Sequence, residues 1–541
     1  MPQEKTCFLP ADFLVFPVRF ARRRLALPAA QERRYTIQRA CGTQFVFFRL
    51  LCSAAGGQGA MTPGLGFGAE EVPMCFERNG MKKQSWQPSA YGIVEGVIWQ
   101  QLLIFFFPIL LGTFFQQLYN TADAMIVGKY VGKQALAAVG GSTGNLINLI
   151  VGFFVGLSSG ATVIISQFFG ARKEKEVSRT VHTAMALAVT MGLFLTVVGW
   201  LFSPSLLRLL STPEDVMEPA TVYIRIYFLG MVPSLIYNVG SGILRAVGDS
   251  RRPLYFLMAA CLTNIVLDLL LVMGLDMGVA GAAWATILSQ AVSAVLVMLV
   301  LTRSHQSYQV NLRRVRFHGD LIPAILRIGL PAGLQSVMYS LSNVIIQSFI
   351  NRLGTDTAAA WSAWGRLDGL QWMILNAFGI SITTFVGQNF GAMKFDRVKK
   401  GVKQCLLMAF AAAACCSGML MLFGRSLYHL FANDETVIEK GMEILWLIAP
   451  YYVTYTCIEI LSGAMRGAGE AMAPTLLTLF GVCALRLVWL LVFVARDPTI
   501  PRTMFSYPMT WVVTSCLFIL YYWKGGWMKR CQERLITRRG E

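Results

Sequence analysis

The sequence has few charged residues and very few histidines. Only 14% of its 541 residues are charged and 55% are hydrophobic, whereas soluble domains carry about 25% charged residues. Its four histidines show no His-Glu-x-x-His spacing, and no phosphate-binding Gly-x-x-x-x-Gly-Lys-Ser/Thr loop is present. These absences argue against an enzyme and against ATP as the energy source. The composition is typical of a polytopic membrane protein.

The sequence also lacks the cysteine spacings of metal or redox sites. None of the twelve cysteines forms a Cys-x-x-Cys pair, and none has histidine partners at metal-ligand spacing. Those within apolar runs are expected to be small buried hydrophobic residues. They are Cys261, Cys405, Cys415, Cys416, Cys457, Cys483 and Cys516.

Apolar segments of about 20–28 residues, each long enough to cross a bilayer, follow one another from about residue 97. We place twelve of them at residues 97–122, 138–168, 178–202, 219–244, 253–274, 279–302, 321–350, 357–388, 400–423, 441–465, 474–495 and 503–523. This pattern predicts an all-α membrane protein with twelve transmembrane helices.

Charge alternates between successive connections. The basic set comprises residues 172–179, 251–252, 313–316, 394–403 and 524–539, and the acidic or neutral set comprises residues 211–218, 276 and 433–435. Because lysine and arginine accumulate in cytoplasmic loops, both termini are expected in the cytoplasm of a multi-pass protein of the bacterial inner (cell) membrane. The net charge of +18 then requires no nucleic-acid partner.

The first 80 residues differ from the rest, because short apolar pieces are interrupted by arginine pairs and by a glycine-rich run from Gly56. A methionine followed by two lysines, at Met81, resembles an ordinary start shortly before a first membrane helix. The predicted organisation is a disordered or mis-assigned extension at residues 1–80, an N-lobe at residues 81–310, a C-lobe at residues 311–525 and a basic cytoplasmic tail at residues 526–541.

Two sequence blocks recur at an offset of about 221 residues. Gln167-Phe-Phe-Gly-Ala returns as Gln388-Asn-Phe-Gly-Ala, and Gly242-Ile-Leu-Arg-Ala-Val-Gly-Asp returns as Gly463-Ala-Met-Arg-Gly-Ala-Gly-Glu. Six spans separate the copies, so both copies face the same side of the membrane. The repeat predicts two six-helix lobes related by a pseudo-two-fold axis along the membrane normal, a plan suited to alternating access.

An amide and a carboxylate, Asn264 and Asp268, lie four residues apart in the fifth predicted span and therefore share a helix face. A carboxylate at the bilayer centre costs about 2.5–3.5 kcal/mol on insertion scales, which makes Asp268 a candidate functional residue. A structural acid satisfied by a neighbouring helix is the alternative. The repeat places Leu485 and Trp489 at the equivalent positions; a pair confined to one lobe favours an ion site.

Other polar side chains in the spans extend this hypothesis. Asp123 in the first span is close in sequence to Tyr119 and Asn120, and polar groups at lipid depth require partners. Asn238 is a further candidate, and its repeat equivalent, Glu459, is a candidate second titrating residue.

Thr286, taken alone, is more often a hydroxyl bonded back to its own helix than a ligand. The remaining ionisable residues in the spans are Arg225, Arg366, Asp368 and Arg486.

Three tryptophans are expected to form an interfacial aromatic belt, with a cavity lining as the alternative. They are Trp361, Trp364 and Trp372.

Several motifs together resemble the multidrug and toxic compound extrusion (MATE) family over residues 90–525. They are Leu118-Tyr-Asn-Thr-Ala-Asp-Ala-Met-Ile-Val-Gly, Gln167-Phe-Phe-Gly-Ala-Arg, Leu244-Arg-Ala-Val-Gly-Asp, Asn264-Ile-Val-Leu-Asp and Gly278-Val-Ala-Gly-Ala-Ala-Trp-Ala-Thr. The acids in the N-lobe resemble the bacterial branch named after a DNA-damage-inducible protein. The other bacterial branch has a glutamate in span seven, where this chain reads Leu330-Pro-Ala-Gly-Leu-Gln-Ser-Val-Met-Tyr, so a C-lobe sodium site is not expected.

The resemblance implies a site and a mechanism. Asp123, Asn264, Asp268 and Thr286 are expected to bind the coupling cation, with Tyr119, Tyr223 and Asn238 around it. The implied function is antiport of H⁺ or Na⁺ against cationic or amphipathic drugs and toxic metabolites. Na⁺, if it is the coupling ion, would be bound at Asp123 and Asp268. No cofactor and no other metal are expected, and the protein is expected to be a monomer in the lipid bilayer.

Two alternatives remain open at this point. A flippase for lipid-linked oligosaccharides has a related helical plan, and Arg225, Arg366 and Arg486 could line a cavity for its pyrophosphate. A membrane-embedded enzyme is the second alternative, from a different functional class.

Overall fold

The computed structural model describes residues 92–210, 212–432 and 434–540. Within these ranges every regular element is helical, as the sequence predicts. The expectation for residues 1–80 concerns residues outside them.

Six long helices form the N-lobe. They are α1 (Ile98–Tyr130), α2 (Ser142–Gly170), α3 (Glu174–Leu209), α4 (Glu214–Leu229 and Met231–Ala246, bent by 50°), α5 (Arg251–Asp268, continued by the π-helical Leu269–Gly274) and α6 (Gly278–Arg303). The short helices Gly92–Glu95 and Lys133–Gly140 precede α1 and α2.

Six further helices form the C-lobe, and a last helix follows them. They are α7 (Ile322–Arg352), α8 (Thr355–Gly391), α9 (Phe395–Tyr428), α10 (Glu435–Ile448 and Tyr452–Gly467), α11 (Met472–Thr478 to the π-helical Leu490–Val494), α12 (Ile500–Lys524) and α13 (Trp527–Gly540). A 3₁₀ turn, Leu312–Arg314, lies in the connection between the lobes.

Ten of the described helices are long and apolar enough to cross a membrane, and the bent α4 makes an eleventh. The twelfth, α7, has 31 residues, a length of about 46 Å at 1.5 Å per residue. It is not among these candidates, and it carries Gln335, Tyr339 and several serines. The predicted twelve-helix, two-lobe fold is confirmed, and the protein is a multi-pass membrane protein.

The helices are longer than the apolar segments in the sequence. The predicted first span ends at residue 122, whereas α1 continues to Tyr130. The extension follows from packing, because Asp123 and Val127 both face the protein interior and keep this stretch of α1 against its neighbours.

Each lobe has its own hydrophobic core, and two helices contribute to the core of the other lobe. Leu102 and Phe106 at the start of α1 belong to the C-lobe core. Conversely, Ile325 and Ile328 at the start of α7 belong to the N-lobe core. Since α1 and α7 are repeat-related, the two lobes are joined by symmetric crossings.

The lobes pack closely together at the end of the bundle that carries the basic connections, which we call the basic end. A side-chain carbon at Gly170 would collide with the carbonyl oxygen of Gln388, and one at Gly391 would collide with that of Gln167. These glycines occupy the same place in the two copies of the repeated motif. Their missing side chains let α2 and α8 pack backbone against backbone, so the structure is closed at the basic end.

Candidate functional site

Three N-lobe helices, α1, α5 and α6, pack together around the predicted site. Gly112 lies where α1 packs against α5, and a side-chain carbon there would lie 3.1 Å from Leu257 Cδ1. Close packing leaves little space for water, so polar groups in this interface must find partners in the protein or in a ligand.

Asn264 and Asp268 form the centre of the site. Both side chains are 0% exposed, and all four of their terminal nitrogen and oxygen atoms lack hydrogen-bond partners. An unsatisfied buried polar group costs about 1–3 kcal/mol, and more when it is charged. Such atoms therefore favour binding a proton or a small cation.

Asp123 on α1 is the second acid of the site. It is 7% exposed, and its Oδ1 atom lacks a hydrogen-bond partner. Its carboxylate is close enough to that of Asp268 for the two to interact electrostatically. Two buried like charges repel each other, and a proton or cation between them relieves the repulsion.

Pairs of polar side chains from α4 and α6 flank the acids. The Tyr223 phenol lies close to the Thr286 side chain, and the Tyr227 phenol lies close to the Gln290 side chain one helical turn further on. The Thr286 hydroxyl also donates to Ala282 O at 3.0 Å. The Thr286 hydroxyl is therefore bonded back to its own helix, as the sequence suggested, and its side chain also lies beside Tyr223 at the site. The sequence patterns did not single out Tyr227 and Gln290. The only signal was their spacing, because Tyr227 follows Tyr223 by four residues and Gln290 follows Thr286 by four residues.

Tyr119 and Tyr223 bring α1 and α4 toward the same acid. Both phenols lie within electrostatic range of Asp123. Tyr119 also lies close to the side chain of Gln116 on its own helix.

Three of the predicted site residues lie apart from this centre. Asn120 is exposed and donates to Gln117 Oε1 at 3.3 Å. Asn238 is half-buried and donates to Ser234 O at 2.9 Å, within its own helix. Glu459 lies in the C-lobe, on α10, with Arg466 Nη2 at 3.8 Å from its Oε1. The seven-residue spacing of this pair places the two groups two helical turns apart on one face.

The π-helical segment Leu269–Gly274 begins directly after Asp268. A second π-helical segment, Leu490–Val494, begins 221 residues later in α11, which is the offset of the sequence repeat. π-helical turns are rare in proteins, and those that occur are often found at functional sites. A π-helical segment is thus present at this position in both lobes, whereas the acid that precedes it, Asp268, is replaced by Trp489 in the C-lobe.

The expectation of an interfacial tryptophan belt is wrong for Trp364 and Trp372. Trp364 is 1% exposed and stacks on Tyr452 in the C-lobe core. Trp372 packs edge-on against Tyr455, with 4.7 Å between ring centroids, and donates to Asp368 Oδ2 at 2.9 Å. Both rings pack against tyrosines of α10 inside the C-lobe, and the indole N–H of Trp372 finds its acceptor on its own helix. Packing between helices, and not the membrane interface, sets the positions of these two rings.

The N-lobe site offers oxygen atoms from two carboxylates, an amide and hydroxyl groups. These are hard ligands that suit a proton or an alkali cation better than a transition metal. Among the described residues, no group of three histidine, cysteine or acidic side chains could hold a metal ion.

Comparison with known proteins agrees with this geometry. The family model described as MatE matches the chain twice, at residues 108–270 and 331–491. The two matches cover more than half of the chain, with one match in each lobe. The chain belongs to the MatE family.

Individual relatives of this MatE protein carry names from drug resistance. It is 30% identical to the probable multidrug resistance protein YpnP of Bacillus subtilis over 438 residues, covering 81% of this chain and 98% of YpnP. It is 28% identical to the probable multidrug resistance protein YoeA of the same organism over 449 residues, covering 81% of this chain and 96% of YoeA.

Solved structures share the fold. A structure described as the outward-facing conformation of a multidrug resistance MATE family transporter of the MOP superfamily matches with a TM-score of 0.77 at 22% identity, covering 82% of this chain and 99% of that chain. A MOP superfamily transporter from Pyrococcus furiosus, described as having a binding pocket of reverse polarity, matches with a TM-score of 0.76 at 23% identity, covering 81% of this chain and 98% of that chain.

Proposed function

We propose that the protein is a cation-coupled antiporter that exports cationic or amphipathic drugs and toxic metabolites by alternating access. The observation that carries this proposal is the Asn264–Asp268 face, which is fully buried with no hydrogen-bond partner for any of its four polar atoms. A purely structural acid would be satisfied by its neighbours. The family membership and the names of the relatives support export of drugs.

In the proposed cycle, Asp123 and Asp268 bind H⁺ or Na⁺ from the outer side. Neutralising the acids removes their mutual repulsion and allows α1 and α5 to pack more closely, which lowers the affinity for a cationic substrate. The substrate leaves outward, and the ion leaves inward when the lobes rock. Coupling of this kind requires that ion and substrate favour opposite states.

The closed basic end supports the direction of the cycle. With the basic connections on the cytoplasmic side, a structure closed at the basic end corresponds to a state that is shut toward the cytoplasm. We place the protein in the bacterial cell membrane as a monomer, with both termini in the cytoplasm.

The flippase alternative receives no support from the three arginines on which it depended. Arg225 lies over the ring of Trp200, and the exposed Arg366 lies over the ring of Phe431. Only Arg486 is buried. The three side chains do not converge on one basic cavity.

The decisive experiment is ethidium efflux from proteoliposomes under a proton gradient and, separately, under a sodium gradient. We expect one gradient to drive efflux, and we expect Asp268→Asn to abolish the driven component. The matched control is Asp276→Asn, because Asp276 lies in an outer loop at φ +49°, a conformation that asparagine tolerates. Unchanged gradient-driven efflux in Asp268→Asn would contradict the proposal.

A further inference from the structure

The connection between the two lobes, residues 304–321, is bound to α3 of the N-lobe through two histidines. We call this connection the linker. His182 lies on α3 and His318 lies near the end of the linker, and neither belongs to the proposed ion site. The linker leads directly into α7, whose residues Ile325 and Ile328 belong to the N-lobe core. Groups that bind or release the linker therefore act on the segment that joins the lobes.

Both ring nitrogens of His182 are engaged, and together they require one neutral form. The residue is 5% exposed. Its Nδ1 lies 2.7 Å from Ser178 O, and because a carbonyl oxygen only accepts, Nδ1 carries the proton and donates. The backbone N–H of Asn311 in the linker donates to Nε2 at 3.1 Å, so Nε2 carries no proton. Protonation of Nε2 would place two donors against each other and break the bond to the linker.

His318 requires the same neutral form. The Thr183 hydroxyl on α3 donates its one proton to Arg179 O at 2.9 Å, so its oxygen accepts from His318 Nδ1 at 2.9 Å and from the His318 backbone N–H at 3.3 Å. Arg316 Nε donates to His318 Nε2 at 3.4 Å, so Nε2 is an acceptor. Protonation would place a charged ring against the Arg316 guanidinium.

The charges around His318 favour its neutral form. Burial lowers the pKa of His318 from its ordinary value of 6.5, and the nearby Arg179 and Arg316 lower it further. His182 acts in the same direction, since protonation of one ring opposes protonation of the other, and only Asp320 raises the pKa. The pKa of His318 is thus set by groups on both α3 and the linker.

The acids of this contact are already paired with Arg179. Its Nη2 donates to both carboxylate oxygens of Asp320 on the linker, each at 2.9 Å, and its Nη1 lies 3.1 Å from Glu176 Oε2 on α3. A protonated histidine would therefore have to compete with Arg179 for either carboxylate. The histidine bonds are the part of the contact that depends on a neutral ring.

We propose that His182 and His318 form a pH-sensitive clip, which holds the linker on α3 when both rings are neutral and releases it when they are protonated. The bound linker takes up fewer protons than the released one, so it is stable above the ordinary histidine pKa of 6.5 and weakens as the pH falls below that value. Acidification at the basic end would free the start of α7 and favour opening of that end. The clip is a device in addition to the proposed export function and does not depend on it.

Histidine NMR tests the clip directly, because the chain has four histidines in all. The full-length protein, with ¹⁵N-labelled histidine rings and in lipid nanodiscs, is titrated from about pH 8 to about pH 5. Ring-nitrogen shifts distinguish the two neutral tautomers from the imidazolium, and replacing each histidine by glutamine assigns the signals. We expect His182 and His318 to be Nδ1–H tautomers at the upper end, and we expect His318 to become protonated only below pH 6.5.

Hydrogen exchange of the linker amides, measured by mass spectrometry, reports release. Protection is taken relative to the intrinsic exchange rate at each pH. In the wild type it should fall about fivefold or more from the upper to the lower end, the factor that one hydrogen bond contributes. The double variant His182→Gln with His318→Gln keeps hydrogen-bond acceptors that do not titrate, so its protection should not change with pH. The matched control is His305→Gln, an exposed position in the same linker, which should keep the wild-type profile.

Three outcomes would overturn the clip. They are an Nε2–H tautomer on either ring, wild-type protection that does not change with pH, and a pH dependence that persists in the double variant. If the double variant does not fold, the wild-type tautomers and wild-type protection give the decision.

Asp268→Asn separates the clip from the ion site. This variant should keep the wild-type linker profile, whereas loss of the profile would assign it to the N-lobe acids and overturn the clip. Neither measurement uses an ion gradient or a drug. A lack of ion-driven efflux would therefore contradict the proposed function without affecting this result.

Discussion

Gln167 and Gln388 form reciprocal hydrogen bonds across the two lobes. Gln167 Nε2 donates to Gly467 O at 2.9 Å, and Gln388 Nε2 donates to Ala246 O at 2.7 Å. The donors are 221 residues apart, and so are the acceptors. The repeated motif of each lobe therefore binds the second repeated motif of the other lobe, and the pair of bonds holds the basic end closed.

Removing one of these amides should open the basic end. Each bond contributes about 1 kcal/mol, so Gln388→Ala should shift the population toward the open state by about fivefold. Spin labels on the exposed Lys175 and Lys399 would report the shift as longer interlabel distances. Gln309→Ala, outside the lobe interface, is the control, and equal distance distributions in both variants would argue against the role of Gln388.

A methyl group at Gly170 should also open the basic end, because it would keep α2 and α8 apart. Its side-chain carbon would collide with the backbone of Gln388, which cannot move away as a flexible side chain could. We expect Gly170→Ala to fold, to remain open at the basic end and to lose transport. Gly418→Ala is the matched control, because nothing lies within 4 Å of its added carbon. Normal transport by Gly170→Ala would show that the close approach is dispensable.

The Tyr223 hydroxyl, which lies close to Thr286 beside the acids, should affect ion coupling. Tyr223→Phe keeps the ring and removes the hydroxyl, at a cost of about 1 kcal/mol. The concentration of coupling ion needed for half-maximal efflux should rise about fivefold. The exposed Tyr255→Phe on the neighbouring α5 should behave as the wild type. A Tyr223→Phe variant with an unchanged ion requirement would exclude this residue from coupling.

Cys531 should report detachment of α13. Burial of this residue in the tail helix raises the pKa of its thiol to about 12, so the thiol is protonated at neutral pH and reacts slowly with maleimide, since the thiolate is the nucleophile. Reactivity should therefore increase with pH toward that value, and it should also increase when α13 is released.

The ion pair of Arg534 Nη1 with Glu470 Oε2, at 3.1 Å, holds α13 against the C-lobe. In a variant that retains only Cys531, Arg534→Glu should speed maleimide labelling. The charge-swapped pair Arg534→Glu with Glu470→Arg should restore slow labelling. Fast labelling without either change would show that α13 is not docked against the C-lobe.

Much of this protein is determined by its sequence. Apolar segments long enough to cross a bilayer predict the helices, because backbone N–H and C=O groups in hydrocarbon must form their hydrogen bonds within the segment. The 221-residue repeat predicts two equivalent lobes, and Asn264 and Asp268 predict a polar face, because helical periodicity alone places them together. The pairing of Glu459 with Arg466 was not predicted, because the two residues are seven apart and the search for partners at i, i+4 does not reach that far.

Only the tertiary structure decides which helix faces meet. The electrostatic interaction of Asp123 with Asp268, the proximity of Tyr227 to Gln290 and the crossing of α1 and α7 into the opposite cores each join helices that are distant in sequence. The same reason explains the error for Trp364 and Trp372, since both rings pack against tyrosines of α10, a helix that is distant in sequence. Residue patterns specify the face of one helix, and packing between helices specifies its partner.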